Sequence, residues 1–369
     1  MRKVQLRKPY FPEDLQDKVL EDIRDVMVSG RLTLGPRLKE FEESFASKIG
    51  SRHAVGVTSA TAGLHLSMIA LGIGRGDEVV VPAKTFVATA NAAVYCGARP
   101  SFCDVRADTM NMDSESLRKA VANRTKAVIP VHIAGQPCDM DEIREFCDTK
   151  SLEVVEDSAH APHALYKGKF AGTIGKIGVF SFYPDKVIAS CDGGMMVTDD
   201  DAIHENLLLL RNCGRKGLGD PDVQSIGYNY RMNELQAVLG LRQLEVIDQM
   251  LQRRLELAKL YDERLAGVKG IETPVLASDR THNYYAYVVS VTGVGREKFR
   301  RELASRGIET SLMFKPVYLH KPYREMGYPR GLCPVSERIS RTTVSIPLHS
   351  GLATDDAEYV CNSIADVLA

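Results

Sequence analysis

The amino-acid sequence predicts an α/β fold, with a large domain built on a mainly parallel central sheet and a smaller α+β domain after it. Three observations carry this expectation. Short apolar runs alternate with helical segments up to about residue 230. An almost unbroken helical pattern covers residues 233–265. Two strand-like and two helix-like segments follow beyond residue 265. A chain of 369 residues exceeds one usual core, and 44% apolar with 26% charged residues is the composition of a globular protein.

The first element is "EDLQDKVLEDIRDVMVSG", which has helical spacing at Leu15, Val19, Ile23 and Val26 and stops at Gly30, a C-cap residue. "HAVGVTSATAGLHLSMIALG" reads as a strand over residues 54–57 running into a helix from about Ala60. "DEVVVP", "ARPSFCDV", "TKAVIPVHI" and "LEVVEDS" are further strands, and helical segments such as "FVATANAAVYCG" and "DEIREFCDTK" separate most of them. In "GVFSFYPDKVIASCDGGMMVTDD" two apolar runs, residues 179–183 and 195–197, flank a turn with Gly193, Gly194 and a single lysine, Lys186. Over residues 233–265, Leu235, Leu239, Leu244, Ile247, Leu251, Leu255, Ala258 and Leu265 form one apolar stripe, with a kink expected near Met250. The domain boundary is placed there, giving a large domain of residues 1–250 and a small one of 251–369. "YYAYVVSVTG", "EKFRRELASRGI", "TTVSIP" and "DDAEYVCNSIADVL" supply the small domain.

Bulk properties exclude several functions. Lysine plus arginine (47) balances aspartate plus glutamate (48), so no nucleic-acid partner is expected. The eight cysteines are scattered without a Cys-x-x-Cys, which excludes a zinc knuckle or disulfide framework and fits a reducing compartment. "MRKVQLRKPYFPEDL" lacks a signal-peptide apolar stretch, and no run approaches the ~18 apolar residues of a membrane span. A cytoplasmic protein without membrane contact is expected. "GIGRG" precedes a strand instead of following one, so it reads as a turn and not as a dinucleotide fingerprint.

Ligands of parallel sheets bind beyond the carboxyl ends of the strands, and three features fall there. In "VTSATAGL", Thr58, Ser59 and Thr61 sit where strand meets helix, a natural anion site, although taken alone simple N-capping is the better account of them. Asp157 closes an apolar strand, where an unpaired carboxylate is costly to bury, so it should face solvent or a fixed cation. His160 and His163 follow it, but the three lack a zinc spacing and Pro162 interrupts any helix; no metal is assigned. Lys186 is the third. A lysine is by default a solvated surface residue, yet one at the mouth of a buried hairpin is partly desolvated and becomes a nucleophilic amine for Schiff bases. Pyridoxal 5'-phosphate asks for all three: a phosphate cradle at a helix N-terminus, a carboxylate for its ring nitrogen and a lysine for its aldehyde. Phe86, in "AKTFVATAN", is either a ring-stacking residue or part of the core.

These motifs resemble the sugar-nucleotide aminotransferases of the DegT/DnrJ type, pyridoxal-phosphate enzymes of fold type I with an aspartate-aminotransferase-like large domain. The resemblance runs through nearly the whole chain, over "GPRLKEFEESFASKIGSRHAVGVTSATAGLHL", "GDEVVVPAKTFVATANAAVYCGARPSFCDV", "VIPVHIAGQPCDMDEI", "VVEDSAHAPHA", "VFSFYPDKVIASCDGGMMVT" and "GYNYRMNELQAVLGLRQL". It implies that Lys186 is the catalytic, Schiff-base lysine, that Asp157 pairs with the ring nitrogen, that Phe86 stacks on the ring and that His160 lies near the phenolic oxygen. It places the phosphate on Ala60, Thr61 and Ser181, with Asn229 reaching the phosphate of the other subunit, hence a homodimer with shared active sites. Arg231, two residues on and on the same side of an extended segment, faces the substrate; without the resemblance the two would read as a polar loop capping a helix. Arg31, Thr33, Lys315, Tyr318 and His320 are assigned to the substrate side. "KPVYLHKPYREMGYP" lines the sugar site or is a proline-stiffened surface loop, and Arg211, Arg215 and Lys216 meet a nucleotide diphosphate or lie in a solvated loop.

The chain departs from the family where Ser59-Ala60-Thr61 replaces Ser-Gly-Thr, where Cys191-Asp192-Gly193-Gly194 replaces Gly-Glu-Gly-Gly, and at Cys213, a position often held by histidine. The implied reaction moves an amino group from L-glutamate to a nucleotide-linked keto-sugar, in amino-sugar and polysaccharide biosynthesis. "GYNYRMNELQAVLGLRQL" resembles the branch acting at C4 of 4-keto-6-deoxyhexoses, and Lys186, where related dehydratases carry histidine, favours transfer over deoxygenation. The alternatives are amination at C3, of a keto-cyclitol or toward an aminobenzoate precursor, a non-catalytic cofactor-binding regulator, and a metal-dependent hydrolase using His160 and His163.

Overall fold

The computed structural model describes residues 2–217 and 219–369. Its strands are β1 (His53–Val57), β2 (Glu78–Pro82), β3 (Arg99–Cys103), β4 (Thr125–Val128), β5 (Glu153–Asp157), β6 (Leu165–Tyr166), β7 (Lys169–Phe170), β8 (Ile177–Ser181), β9 (Gly194–Thr198), β10 (Ile271–Glu272), β11 (Tyr287–Val291) and β12 (Thr343–Ile346). Seven form a central sheet in the order β1-β9-β8-β5-β4-β2-β3. All pairs among β8, β5, β4, β2 and β3 are parallel, whereas β9 is antiparallel to both β1 and β8. β9 therefore runs alone against the rest, and its first residue meets the last residues of its neighbours: Gly194 pairs with Val57 and with Ser181. Asp157, at the end of β5, pairs with Val179. One rim of the sheet thus gathers the ends of β1, β5 and β8.

Burial explains why these runs are strands. β8 and β9 are buried at every position and β2 at all but its first, so continuous apolar sequence is what a sheet covered on both faces requires. The helix Ala60–Ala70 is buried at most positions and lies close on the sheet. A Cβ on Gly63 would come within 2.9 Å of Val179 and 3.2 Å of Met196, so glycine sets that approach.

The helical pattern of residues 233–265 is two helices, Glu234–Glu245 and Ile247–Leu265, interrupted at Val246 ahead of the expected kink at Met250. The interruption changes the phase of the buried face. Leu235, on the outer side of the first helix, and Leu255, in the second, are exposed, while Ala237, Val238 and Leu241 are buried in the first helix and Met250, Leu257 and Tyr261 in the second. A capping box starts the first helix: Asn233 Oδ1 accepts from Gln236 N (2.9 Å) and Gln236 Oε1 from Asn233 N (3.1 Å). The second helix turns Leu257, Tyr261 and Leu265 into the core of a three-stranded antiparallel sheet, β10-β11-β12, shared with helices Arg296–Ser305 and Thr354–Leu368. No helix among the described residues is long and apolar enough to cross a membrane.

Candidate active site

A cavity of about 590 Å³ opens at the rim where β1, β5 and β8 end. Ala60, Thr61, Phe86, Asp157, His160, Ser181 and Lys186, separated by up to 126 positions in sequence, all line it. The rim starts with the junction of β1 and the helix Ala60–Ala70. Ser59 Oγ accepts from Ala62 N at 3.1 Å and Ser59 O from Gly63 N at 3.0 Å. The N–H groups of Ala60 and Thr61, in the first turn, have no intrahelical acceptor and point their partial positive charge at whatever sits there. Gly194 permits the packing: a Cβ on it would lie 2.6 Å from Ala60 N and from Ser59 C.

Asp157 ends β5 with 5% of its surface exposed. Within the chain it accepts from two neutral donors, Thr89 Oγ1 (2.7 Å) and Ala159 N (3.2 Å), and it lines the cavity. Burial raises its pKa, against those two hydrogen bonds and the more distant charge of Lys186. His160 is buried, its ring stacked on Tyr285 at 4.2 Å with Nδ1 left without a partner. Burial, with Lys186 and Arg7 nearby, holds its pKa well below the usual histidine value, so the ring is neutral. Phe86, half exposed, faces Phe314 across 5.9 Å between ring centres.

Lys186 sits in the loop between β8 and β9, closed by Lys186 N to Tyr183 O (2.9 Å) and Ser190 N to Phe182 O (2.8 Å). Its side chain is 11% exposed. Nζ donates to the Tyr285 hydroxyl at 3.2 Å and lies 3.7 Å from Asp185 Oδ1. Burial lowers its pKa to about 8; Asp185 opposes that shift and Arg7 adds to it. An amine that sheds its proton near neutral pH is a competent nucleophile and base.

The remaining expected residues lie outside this cavity. Arg31 and Thr33 line a second cavity of about 730 Å³ together with Asn212 and Lys216. Asn229 and Arg231 form bridges to Asn212 and to Val57 beside the end of β1, and Arg231 Nη1 donates to Asn212 Oδ1 at 3.0 Å. Tyr318 is a core residue, fully buried, with its hydroxyl 2.7 Å from Glu337 Oε1; its aromatic bulk decides its place, and it does not face a substrate. Lys315 is exposed and His320 partly so, beyond Phe314, which is where that segment leaves the cavity. Arg211 is likewise buried, held by Glu42 and by Gly56 O (2.8 Å), not free for a diphosphate. His163 packs edge-on to Phe170, and among the described residues no group of three or more His, Cys, Asp or Glu is placed to hold a metal ion.

Four contributors escaped the sequence reading: Thr89, Asp185, Tyr285 and Arg7. Asp185 adjoins Lys186 and was open to detection on that ground. Thr89 falls in the quoted "TFVATAN" motif, one helical turn after Thr85. Arg7 and Tyr285 come from distant segments that carry no local signal.

A helix N-terminus, an unpaired buried carboxylate and a desolvated lysine in one cavity, on a mostly parallel sheet, define the fold type I pyridoxal-phosphate enzymes. The DegT/DnrJ/EryC1/StrS aminotransferase family model matches residues 13–365, and the chain belongs to that family. It is 37% identical to the spore coat polysaccharide biosynthesis protein SpsC of Bacillus subtilis (strain 168), over 99% of each chain. It is 35% identical to GDP-perosamine synthase of Caulobacter vibrioides, over 99% of this chain and 98% of that one. Among solved structures, S. venezuelae DesV in complex with a ketimine intermediate superposes with a TM-score of 0.92 at 36% identity, covering 98% of both chains. The protein is a sugar aminotransferase, and its cofactor is pyridoxal 5'-phosphate. The residues present fit that group: His160 Nδ1 and the Asp157 carboxylate are buried polar groups left short of partners, and the Ala60 and Thr61 N–H groups are free for a phosphate.

Proposed function

We propose that this aminotransferase moves the amino group of L-glutamate to C4 of a nucleotide-linked 4-keto-6-deoxyhexose, and that it works as a homodimer with shared active sites. The observation that carries the assignment of roles is the placement of desolvated Lys186 and unpaired Asp157 in one cavity with a free helix N-terminus. The relative named GDP-perosamine synthase supports a nucleotide-linked sugar. The stretch "GYNYRMNELQAVLGLRQL", similar to the branch acting at C4, supports the position on the ring. Two domains, residues 1–250 and 251–369, belong to the same proposal.

Bound pyridoxal phosphate supplies the electron sink that lets an amino group leave one carbon and arrive at another. Asp157 would hold positive charge on the ring nitrogen, which would offset the cost of keeping that carboxylate buried. The Ala60 and Thr61 N–H groups, with the Ser181 hydroxyl, would hold the phosphate. Phe86 would cover the ring, and the unpartnered Nδ1 of neutral His160 would be available to the phenolic oxygen. Lys186 Nζ, already near its pKa at working pH, takes a proton from the donor α-carbon and returns it at the neighbouring carbon. Asn229 and Arg231, together with Arg31 and Thr33, complete the partner's site toward phosphate and substrate; Lys315 and His320 flank the entrance.

The test is a product assay. Purified enzyme is given L-glutamate and a panel of dTDP-, GDP- and UDP-linked 4-keto and 3-keto 6-deoxyhexoses, and the product is identified by mass and NMR. An amine at C4 is expected; an amine at C3 alone overturns the assignment. Lys186→Ala should abolish turnover, and borohydride reduction followed by peptide mapping should place the cofactor on Lys186.

A further inference from the structure

Lys186 is joined to two neighbours to which the transamination chemistry assigns no role. The Tyr285 hydroxyl lies 3.2 Å from Lys186 Nζ and 3.0 Å from Asp185 Oδ2. A phenol has one proton, and the carboxylate can only accept it, so Tyr285 donates to Asp185 and turns a lone pair toward the lysine. Arg7 Nη1 donates to the same Asp185 Oδ2 at 2.8 Å, and its guanidinium lies 4.4 Å over the Tyr285 ring. The other carboxylate oxygen, Asp185 Oδ1, is buried without a hydrogen bond, 3.7 Å from Nζ.

The geometry points to Asp185 and Tyr285, braced by Arg7, as positioning residues that seat the ε-amine of Lys186 whenever it is not bound to the cofactor, in either protonation state. The neutral amine donates one N–H to the Tyr285 oxygen, which leaves its lone pair free for the donor α-carbon. Once it has taken that proton, the ammonium finds Asp185 Oδ1 beside it, and it gives the proton up again at the neighbouring carbon. Tyr285 keeps its own proton throughout, since burial and Asp185 push its pKa far up. The charged groups facing Nζ are Asp185, Arg7 and Asp157, with His160 neutral behind Tyr285, and burial with these charges leaves Lys186 near pH 8. The inference rests on Lys186 being the reacting lysine, and not on the sugar, the nucleotide or the position aminated.

The experiment uses holoenzyme and excess L-glutamate without sugar, following the cofactor absorbance in a single turnover from about pH 6 to pH 10. Tyr285→Phe should slow that step roughly tenfold, the worth of a single hydrogen bond, with the donor dissociation constant unchanged. Asp185→Asn removes an anion that favours the ammonium, so the acid limb of the pH profile should move to lower pH by about one unit or more. Arg7→Lys should keep most of the rate. A second readout needs no turnover: in the apoprotein, the pH dependence of Lys186 acylation, read by peptide mass mapping, should shift the same way in Asp185→Asn. Wild-type rates and wild-type pH profiles in both variants would overturn the inference, as would a lowered unfolding midpoint with no change in either profile. If glutamate fails to drive the step even in the wild type, the donor assignment falls, and acylation alone decides for or against the seat.

Discussion

Asp157 and Lys84 show how one residue can be shaped by use and another by packing. Asp157 is buried with only neutral donors, and its pKa is raised by burial. Between the unfolded and folded pKa values the folded protein binds the extra proton, so Asp157 costs stability as pH rises through that window. Asp157→Asn should therefore leave the apoprotein at least as stable as wild type at neutral pH, measured by urea unfolding. The same variant should hold pyridoxal phosphate about 2 kcal/mol more weakly, roughly thirtyfold, by absorbance titration. A stability loss matching the cofactor loss would make Asp157 a structural residue. Lys84 is also buried, with its pKa lowered to about 7, yet its ammonium is committed to Met313 O, Phe314 O (3.3 Å) and Thr343 Oγ1 (3.3 Å). Residue type marked neither lysine; the surroundings separate a clamp from a nucleophile. Lys186 was legible because its hairpin is local. Tyr285 was not, because nothing in "HNYYAY" tells which tyrosine turns toward a lysine 99 positions earlier.

At the scale of elements, the site depends on how closely β9 approaches the helix Ala60–Ala70. Gly194→Ala inserts a Cβ 2.6 Å from Ala60 N, against backbone that cannot yield as a flexible side chain would. A destabilisation of about 1–3 kcal/mol is expected in urea unfolding, together with weaker binding of inorganic phosphate to the apoprotein by calorimetry. Undiminished phosphate binding would show that the helix start is not the cradle. The paired glycines were visible in the sequence, but the contact they allow was not, because it joins a strand to the start of a helix far away in the chain. The long helix teaches the opposite lesson. The sequence suggests one continuous apolar stripe, but Leu235 faces outward within the first helix, and the break at Val246 changes the phase so that Leu255 faces outward in the second. A hydrophobic period reports that a face is buried, not that one face continues through a break in phase.

At the scale of the molecule, Asn229 and Arg231 sit outside the cavity that contains Lys186, while Phe86 and Tyr183 at that cavity, and Met27, Val28 and Leu32 elsewhere, are exposed apolar side chains. A second copy of the chain would cover such side chains and supply the missing polar groups. Mixing Lys186→Ala with Asn229→Ala subunits, each inactive alone, should restore about a quarter of wild-type activity, because half the dimers are mixed and each carries one intact site. A mixture as inactive as its components would rule out a shared site. Sedimentation should give twice the chain mass.

The sequence by itself determined the fold class and the succession of strands along the chain, because burial on both faces of a sheet demands continuous apolar runs and tight turns demand glycine. It also singled out a strand-to-helix junction, a carboxylate and a lysine, since each stands at or just beyond the end of a strand where local chemistry is readable. Only the tertiary structure decided what surrounds them: that Thr89 and Ala159 hold Asp157, that Tyr318 and Arg211 are held in the interior, and that Arg7 and Tyr285 meet Asp185 beside Lys186. Those facts depend on contacts between segments far apart in the chain, and a hydrophobic pattern records burial along the chain without recording which segments meet.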